Sequence, residues 1–250
     1  MNVSLYQAAA ALSGISRWQD VIGENLASSS IPGYRKQDLS FSAVQSGLMP
    51  VASAAYGPSA SFILPKAVTA INSSAGELNH TGTNTDVAIE GPGFFELQMA
   101  DGTRVYTRSG EFKFNTQGEL VSKAGYQVAG DAGIIQINPK DKSLVTISDT
   151  GEVSQRGNIM GKVKLVDFND PGLLTPISGT SFFLANNPNL RPTPVTAASL
   201  RQGFLEASNT SNVREMANLL TAMRSYEMNQ RVIQINDDRI SRAIGELGNP

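Results

Sequence analysis

The sequence contains no cysteine and one histidine, His80, among its 250 residues. The lack of cysteine excludes disulfides, thiolate catalysis and cysteine-based zinc sites. No second histidine is present to complete a metal site or a nucleophilic pair with His80. Because the neighbours of His80 are Asn79 and Thr81-Gly82, which are typical of turns, we predict that His80 is a solvated loop residue.

Charge and long apolar runs are also scarce. Charged residues make up 17% of the chain and the net charge is −2, so electrostatics give no reason to expect nucleic acid or an anionic membrane as a partner. No window approaches the roughly 20 apolar residues that a spanning helix requires, which argues against membrane insertion. The first cation is Arg17, and the apolar residues before it are periodic rather than continuous. We therefore predict that no signal peptide is cleaved.

Signs of a catalytic site are weak. The segment from Gly91 to Glu96 begins like a dinucleotide-binding fingerprint, but Glu96 occupies the place of the third glycine and a strand pattern follows. A tight turn is the better interpretation. Carboxylates at Asp86, Glu90 and Asp101 are scattered over predicted turns and strand edges, and a hydrolase that uses them as an acid–base pair stays open as an alternative. We predict a protein that is not an enzyme, without metal, cofactor or small-molecule substrate.

Apolar side chains near the N-terminus recur at alternating spacings of three and four residues. This spacing is typical of a heptad seam, the narrow apolar stripe through which helices pair in a coiled coil. A run of serines followed by Pro32-Gly33 predicts the end of this first helix. The seam consists of Leu5, Ala8, Leu12, Ile15, Gln19, Ile22 and Leu26.

The C-terminal segment repeats the pattern over a predicted helix from about residue 213 to 247. At 1.5 Å per residue this helix is ~50 Å long, which is longer than a compact domain of this size covers. Polar residues in a seam reduce stability but fix the register between helices, and we expect this role for Gln19, Gln230 and Asp237. The second seam consists of Met216, Leu219, Met223, Tyr226, Gln230, Ile233, Asp237, Ile240, Ile244 and Leu247.

The two seams predict association between subunits. A lone pair of helices buries only one stripe of each helix, which offsets little of the entropy that is lost when the arms become ordered. We therefore expect the arms to be weakly ordered in a monomer and to complete their burial against other copies. An intramolecular bundle packed on the rest of the chain is the alternative.

Between the arms the pattern changes from helical to β. Apolar and polar residues alternate in short runs, and Asp101-Gly102 and the segment from Asn115 to Gly118 are typical hairpin turns. Ala52 to Ala60 and Asn186 to Ala198 have the composition of linkers. The predicted fold is mainly β, with N- and C-terminal α-helical arms that pair as a coiled coil. The predicted division is an arm at residues 1–35, a β-rich central body with linkers at 36–205, and an arm at 206–250.

Four segments resemble those of a known family. Asn25 to Arg35 resembles the N-terminal signature of flagellar rod and hook proteins, and Thr83 to Phe95 and Asp101 to Phe112 are similar to their core motifs. Gly203 to Asn209 resembles their C-terminal signature. Because the four occur in the order found in the family, the chain is identified as a member of the flagellar axial proteins. The motif residues are Asn25, Gly33, Tyr34, Asp86, Gly91, Gly93, Phe94, Glu206, Ser208 and Asn209.

The resemblance implies a structural subunit of the bacterial flagellar basal-body rod. Such subunits leave the cell interior uncleaved through the flagellar type III export apparatus, and their partners are other copies and other axial proteins. Their terminal helices form the inner tube of a rod that crosses the periplasm and transmits torque. The segment from Lys162 to Pro171 resembles proximal rod members more than distal ones. The alternatives are a distal rod subunit and a non-flagellar β-rich fibre or adhesin module that oligomerises through its helices.

Overall fold

The structure, a computed structural model, describes residues 3–48, 61–141, 143–177, 180–195 and 197–247. Side chains are described for the same residues except 3–6, 43–48, 61–65, 243–244 and 246–247. The predicted linker from Ala52 to Ala60 therefore lies outside the described residues.

The described residues form two α-helices, one 3-10 helix and a series of short strands. The helices are α1 (Val3–Ala27), the 3-10 helix (Pro171–Leu173) and α2 (Asn212–Leu247). The strands are β1 (Gln37–Leu48), β2 (Ser61–Ile71), β3 (Leu78–His80), β4 (Val87–Glu90), β5 (Phe94–Gln98), β6 (Arg104–Thr107), β7 (Phe112–Phe114), β8 (Leu120–Ser122), β9 (Gln127–Gly130), β10 (Gly133–Ile134), β11 (Val145–Ile147), β12 (Glu152–Gln155), β13 (Asn158–Lys162), β14 (Leu165–Phe168), β15 (Thr175–Pro176), β16 (Phe182–Leu184), β17 (Pro192–Pro194), β18 (Ser199–Gln202) and β19 (Phe204–Glu206).

This element order confirms the prediction of a mainly β chain with an α-helix near each end. α1 ends at Ala27, directly before the serine run, and α2 begins at Asn212, next to the predicted start. The two predicted hairpin turns connect β5 to β6 and β7 to β8. These features follow from local spacing and turn chemistry, which is why the sequence alone predicts them.

Contacts between Cα atoms divide the chain into two compact units. Unit 1 consists of Met1–Glu24, Gln37–Ala70 and Asn212–Pro250. Unit 2 consists of Asn25–Lys36 and Ile71–Ser211. The three-part division at residues 35 and 205 stays a prediction.

In unit 1, α1 packs on a long hairpin. β1 pairs with β2 in a two-stranded sheet. A Cβ atom added at Gly14 of α1 would lie 2.8 Å from the Cε1 atom of Phe41, so the helix contacts the β1 side chain through a glycine. The absence of a side chain at this position is what permits such a close approach.

Unit 2 is built around β5, the central strand of its largest sheet. β5 pairs with β6 along one edge, and with β9 and β14 at the two ends of the other edge. The sheet has the order β15-β16-β6-β5-β9-β8-β7, with β10 on β9 and β17 on β14. Phe95 and Leu97 of β5 are fully buried, and the Phe95 ring meets Phe112 edge to face with centroids 5.0 Å apart. Burial of such large apolar side chains is the main stabilising term of the unit.

The last two strands before α2 pair with two strands from the early part of unit 2. β18 pairs with β4, with Leu200 opposite Ile89, and β19 pairs with β3, with Glu206 opposite Leu78. A separate three-stranded sheet has the order β11-β12-β13. The pairings of β18 and β19 place Glu206 among residues that are distant in the sequence.

Two sequence predictions about this unit were wrong in part. The stretch from Asn186 to Ala198 is not entirely a linker, because β17 lies within it and pairs with β14. His80 is exposed, as predicted, but it ends strand β3 and pairs with Phe204 of β19 rather than lying in a loop. Both strands form through partners that are far away in the sequence, which local turn signals do not report.

Neither helix, over the described residues, has an apolar stretch of the length that a membrane crossing requires.

Candidate assembly site

The family motif residues of unit 2 gather around one buried carboxylate, that of Glu206 at the end of β19. Its Oε1 atom accepts from the Arg35 guanidinium at 2.7 Å and from the backbone N–H of Gly76 at 2.8 Å. Its Oε2 atom accepts from Nε of Arg108 at 2.8 Å. The side chains of Glu206, Arg35 and Arg108 are 1%, 3% and 3% exposed. We call these three residues the Glu206 cluster.

Arg108 connects the cluster to the turn between β4 and β5. Its Nη1 donates to the carbonyl of Gly93 at 2.5 Å, and its Nη2 donates to that of Gly91 at 3.0 Å. The guanidinium also lies over the ring of Phe94, 6.0 Å from the centroid. Gly93 has a φ of +112°, and a Cβ there would lie 2.8 Å from Val195 Cγ2. The turn predicted from Gly91 to Gly93 therefore supplies carbonyl acceptors to a buried cation.

The segment after α1 enters the same region. Gly33 donates its backbone N–H to the carbonyl of Glu206 at 2.7 Å. Tyr34 is 1% exposed, and its hydroxyl donates to Oδ1 of Asn25 at 3.2 Å. Gly33 has a φ of +68°, and a Cβ there would lie 2.2 Å from the backbone nitrogen of Ser109. Only glycine fits this turn without displacing the backbone.

Asn209 holds the start of the C-terminal segment against the segments that follow α1 and β2. Its Oδ1 accepts from the backbone N–H of Lys36 at 2.8 Å. Its Nδ2 donates to the carbonyls of Asn72 at 3.1 Å and Ser74 at 2.9 Å. Arg35 also donates to the Ser74 carbonyl. One amide side chain from the C-terminal half of the sequence thus bonds two backbone segments of the N-terminal half.

Two motif residues have more local roles. Ser208 accepts the backbone N–H of Thr210 at 3.1 Å. Asp86 accepts from the Thr81 hydroxyl at 2.7 Å, and its carbonyl accepts from the backbone N–H of Gly203. Both contacts order turns, Ser208 close to the start of α2 and Asp86 before β4.

The Glu206 cluster is buried and carries one excess positive charge. Burial lowers the pKa of Arg35; Glu206 opposes this shift, and the repulsion of Arg108 adds to it. Two guanidinium groups share one carboxylate, so loss of Glu206 would leave both charges without an anionic partner. The cluster is arranged to hold chain segments together.

The residues considered for catalysis each have a hydrogen-bond or ion-pair partner. Glu90 pairs with Arg201 at 2.6 Å, and Asp101 accepts the backbone N–H of Thr103, a bond that lowers the pKa of Asp101. Asp86 has the partners given above. Among the described residues, no three acidic or histidine side chains are grouped so as to hold a metal ion.

On α1 the predicted seam is largely shielded from solvent. Ala8, Ile15 and Ile22, which are seven residues apart, are 6%, 8% and 1% exposed. Leu12, Gln19 and Leu26 are half-buried, and the side chain of Leu5 lies outside the described residues. Val21 is also buried, which the heptad pattern does not predict.

On α2 the predicted seam is mostly open to solvent. Met216, Met223 and Ile240 are 60%, 50% and 43% exposed. Leu219, Tyr226 and Ile233 are half-buried, whereas Gln230 and Asp237 are exposed. The side chains of Ile244 and Leu247 lie outside the described residues.

The most shielded line of α2 is displaced from the predicted seam. Leu219, Tyr226 and Ile233 belong to both. The residues that alternate with them in the shielded line each lie one position earlier than those of the predicted seam. The residues of this shielded line are Glu215, Leu219, Ala222, Tyr226, Asn229, Ile233 and Asn236.

Two groups of exposed apolar residues lie on the sides of α2 that face away from the shielded line. The N-terminal flank consists of Val213, Met216, Leu220 and Met223. The C-terminal flank consists of Met228, Val232 and Ile235. At 100° per residue, the two flanks point about 120° to either side of the shielded line. The heptad pattern missed five of these seven residues, although their apolar character is visible in the sequence.

The arginines of the Glu206 cluster were also missed as site residues. Arg35 and Arg108 both lie within segments that resemble the flagellar family. Nothing in their local sequence distinguishes a buried arginine from the exposed one that is more common on a β-rich surface.

Comparisons with known proteins show which sequences the chain resembles. Residues 88–155 match the sequence model of the flagellar hook protein FlgE/F/G D1 domain, and residues 201–246 match that of the flagellar basal body rod FlgEFG protein C-terminal region. The chain is 32% identical over 249 residues to the flagellar basal-body rod protein FlgF of Caulobacter vibrioides, with 99% of each chain covered.

Two further relatives carry similar names. The FlgF protein of Mesorhizobium japonicum is 31% identical over 252 residues, with 99% of each chain covered. The FlgG protein of Agrobacterium fabrum is 34% identical over 184 residues, with 66% of each chain covered. The chain belongs to the family of flagellar basal-body rod proteins.

Proposed function

We propose that the chain is a structural subunit of the bacterial flagellar basal-body rod, in the proximal position of the FlgF proteins. The observation that carries this proposal is the pair of exposed apolar flanks on α2. Relatives named FlgF that align over 99% of the chain support the proximal position. A structural role also accords with the partners of Asp86, Glu90 and Asp101 in the β body.

The flanks supply a driving force for association. A fully buried apolar side chain contributes about 1.5–3 kcal/mol, and because these side chains are about half exposed, covering the remainder is worth ~1 kcal/mol each. The seven flank residues therefore offer a contact of several kcal/mol. An exposed apolar surface of this length is typical of an interaction site.

The positions of the flanks require more than one neighbour. Because they diverge on the helix surface, a helix that packs on the N-terminal flank leaves the C-terminal flank uncovered. Each α2 is therefore proposed to contact helices of at least two other subunits, in a heterologous association that repeats along an axis. Coiled-coil pairing with α1 segments belongs to this proposal, with Gln19, Gln230 and Asp237 fixing the register.

The β body then has a supporting role. The Glu206 cluster and Asn209 hold the segments that follow α1 and precede α2 within unit 2. The partners are other copies of the chain and other axial proteins. Export through the flagellar type III apparatus without cleavage, and a position in the rod across the periplasm, complete the proposal.

The experiment uses the double variant Met216→Gln with Met223→Gln, in which two exposed methionines of the N-terminal flank become polar. We expect incorporation into rods to fall roughly tenfold or more, because two apolar contacts of ~1 kcal/mol are lost. The thermal unfolding of the monomer should not change, since both side chains are at least half exposed. Swimming of a complemented deletion strain and sedimentation of assembled protein are the measurements.

The matched control is Arg214→Gln with Thr221→Gln. Both residues are exposed and have the same seven-residue spacing, and they lie on the side of α2 that carries the C-terminal flank. Because both are already polar, the control removes no apolar contact from either flank. The control should assemble like the wild type. Normal incorporation of the methionine variant would contradict the proposal, and a closed small oligomer instead of open tubes would favour the fibre or adhesin alternative.

A further inference from the structure

Three methionine side chains are exposed along one stretch of α2. Met216, Met223 and Met228 are 60%, 50% and 61% exposed. Met99 and Met160, in the β body, are half-buried. The most accessible thioethers among the described residues therefore lie within 13 residues of the helix that carries the apolar flanks.

Methionine has two properties that matter at this place. Its unbranched, polarizable side chain adapts to neighbours of different shape, which suits a helix that contacts several others. Its sulfur is also oxidised to a sulfoxide, which turns an apolar side chain into a polar one and is reversed by methionine sulfoxide reductases. Leucine would also supply an apolar contact, but it is not oxidised in this way.

We propose that Met216, Met223 and Met228 form a peroxide-sensitive modification site that controls the association of α2. This inference rests on the proposed function. Hydrogen peroxide transfers one oxygen atom to the thioether sulfur: the O–O bond breaks, an S–O bond forms, the sulfur loses two electrons and the peroxide leaves as water. A reductase that uses a dithiol removes the oxygen as water and becomes a disulfide.

Oxidation acts on the free subunit and opposes assembly. A sulfoxide that is buried in an apolar contact without a hydrogen-bond partner weakens association by about tenfold or more. The same contact, once formed, covers the sulfur atoms. Free subunits are therefore sensitive to peroxide, whereas subunits already packed through α2 are protected.

The first measurement is the rate of oxidation at each methionine. The purified full chain is treated with hydrogen peroxide, and peptide mass spectrometry follows the gain of oxygen over time. Met216, Met223 and Met228 should oxidise several-fold faster than Met99 and Met160, which serve as internal controls. Equal rates at all five sites would overturn the proposal, whatever the outcome of the assembly assays.

The second measurement is assembly after oxidation, compared with a variant that carries Met216→Leu, Met223→Leu and Met228→Leu. Oxidised wild type should lose sedimenting polymer at least tenfold and regain it after treatment with the reductases. The leucine variant is compared with its own untreated sample, and peroxide should leave its amount of polymer unchanged, since its flanks carry no exposed thioether. Unchanged assembly of oxidised wild type, or equal loss in the leucine variant, would overturn the inference.

Failure of the proposed function has a different signature. In that case neither the untreated wild type nor the leucine variant forms polymer, and the Gln variants at Met216 and Met223 behave like wild type. The oxidation rates still test whether these three thioethers are a preferred modification site.

Discussion

Glu206 joins three segments that are far apart in the sequence. Its carboxylate bonds the segment after α1 through Arg35, the segment before β3 through Gly76, and the segment after β6 through Arg108. A carboxylate between two buried guanidinium groups costs desolvation energy, and it is retained only with complete hydrogen bonding. Both oxygen atoms of Glu206 are bonded, whereas the buried Nε atom of Arg35 has no hydrogen-bond partner among the described residues.

At the scale of a single residue, we expect Glu206→Gln to destabilise the protein by about 3–5 kcal/mol. The substitution preserves the shape of the side chain but leaves Arg35 and Arg108 buried without a counter-charge. Urea unfolding followed by circular dichroism measures the free energy of unfolding.

The control is Glu90→Gln, the same substitution in an exposed ion pair. Glu90 and Arg201 are 49% and 50% exposed, so this variant should lose no more than about 1 kcal/mol. Equal losses in the two variants would show that the burial of Glu206 has no energetic consequence.

At the scale of elements, the turn after α1 is held by close backbone contacts within unit 2. Gly33 has a positive φ and lies against the backbone of Arg108 and Ser109. The same turn donates a backbone hydrogen bond to Glu206. The end of α1 is therefore fixed by backbone contacts that leave no space for a side chain.

Gly33→Ala is expected to destabilise unit 2 by about 3 kcal/mol or more, because the new Cβ adds a backbone clash to the cost of the left-handed conformation. Thermal unfolding is the measurement. Gly125→Ala is the control: it also has a positive φ, of +91°, but has nothing within 4 Å of the added Cβ. It should lose only about 1 kcal/mol. A Gly33 variant no less stable than the Gly125 variant would contradict this account of the turn.

α2 illustrates a second element-scale effect. Its predicted seam and its shielded line share every second residue, and the other residues of the two lines differ by one position in the sequence. A one-residue step rotates a helical position by about 100°, so a small difference in spacing changes which residues face solvent. This rotation leaves Met216 and Met223 exposed on a flank.

At the scale of the whole molecule, unit 2 contains segments from both terminal parts of the sequence. Asn25–Lys36 and the residues up to Ser211 belong to it together with the central strands. Tyr34, Arg35, Glu206 and Asn209 all make their contacts inside this unit. The folded body should therefore depend on residues outside the predicted 36–205 core.

Two fragments test this dependence. A fragment of residues 25–211 should unfold cooperatively, whereas a fragment of residues 36–205 should be less stable by about 3–5 kcal/mol, because it leaves Arg108 buried without Glu206. Urea unfolding midpoints and the transition steepness are the measurements. The longer fragment with Glu206→Gln is the control, and it should lie close to the shorter fragment. Equal midpoints for the two unsubstituted fragments would support the predicted boundaries at 35 and 205.

The candidate site was predictable in outline from particular residues. Gly33, Gly91, Gly93, Glu206 and Asn209 were identified as motif residues, and each has a definite contact in unit 2. The role of the seam residues in assembly stays a prediction. The arginines that connect them were not predicted as site residues, because their burial depends on strand pairings between distant parts of the chain.

Local sequence is enough to predict the helices at both ends, the hairpin turns and the family. These features depend on interactions over three or four residues, on turn chemistry, and on short motifs in a fixed order. Tertiary packing places Glu206 between Arg35 and Arg108 and places His80 and Pro192–Pro194 in strands, and it sets which sides of α2 stay open to solvent. Burial is set by which distant segments pack together, and local sequence carries little information about that choice.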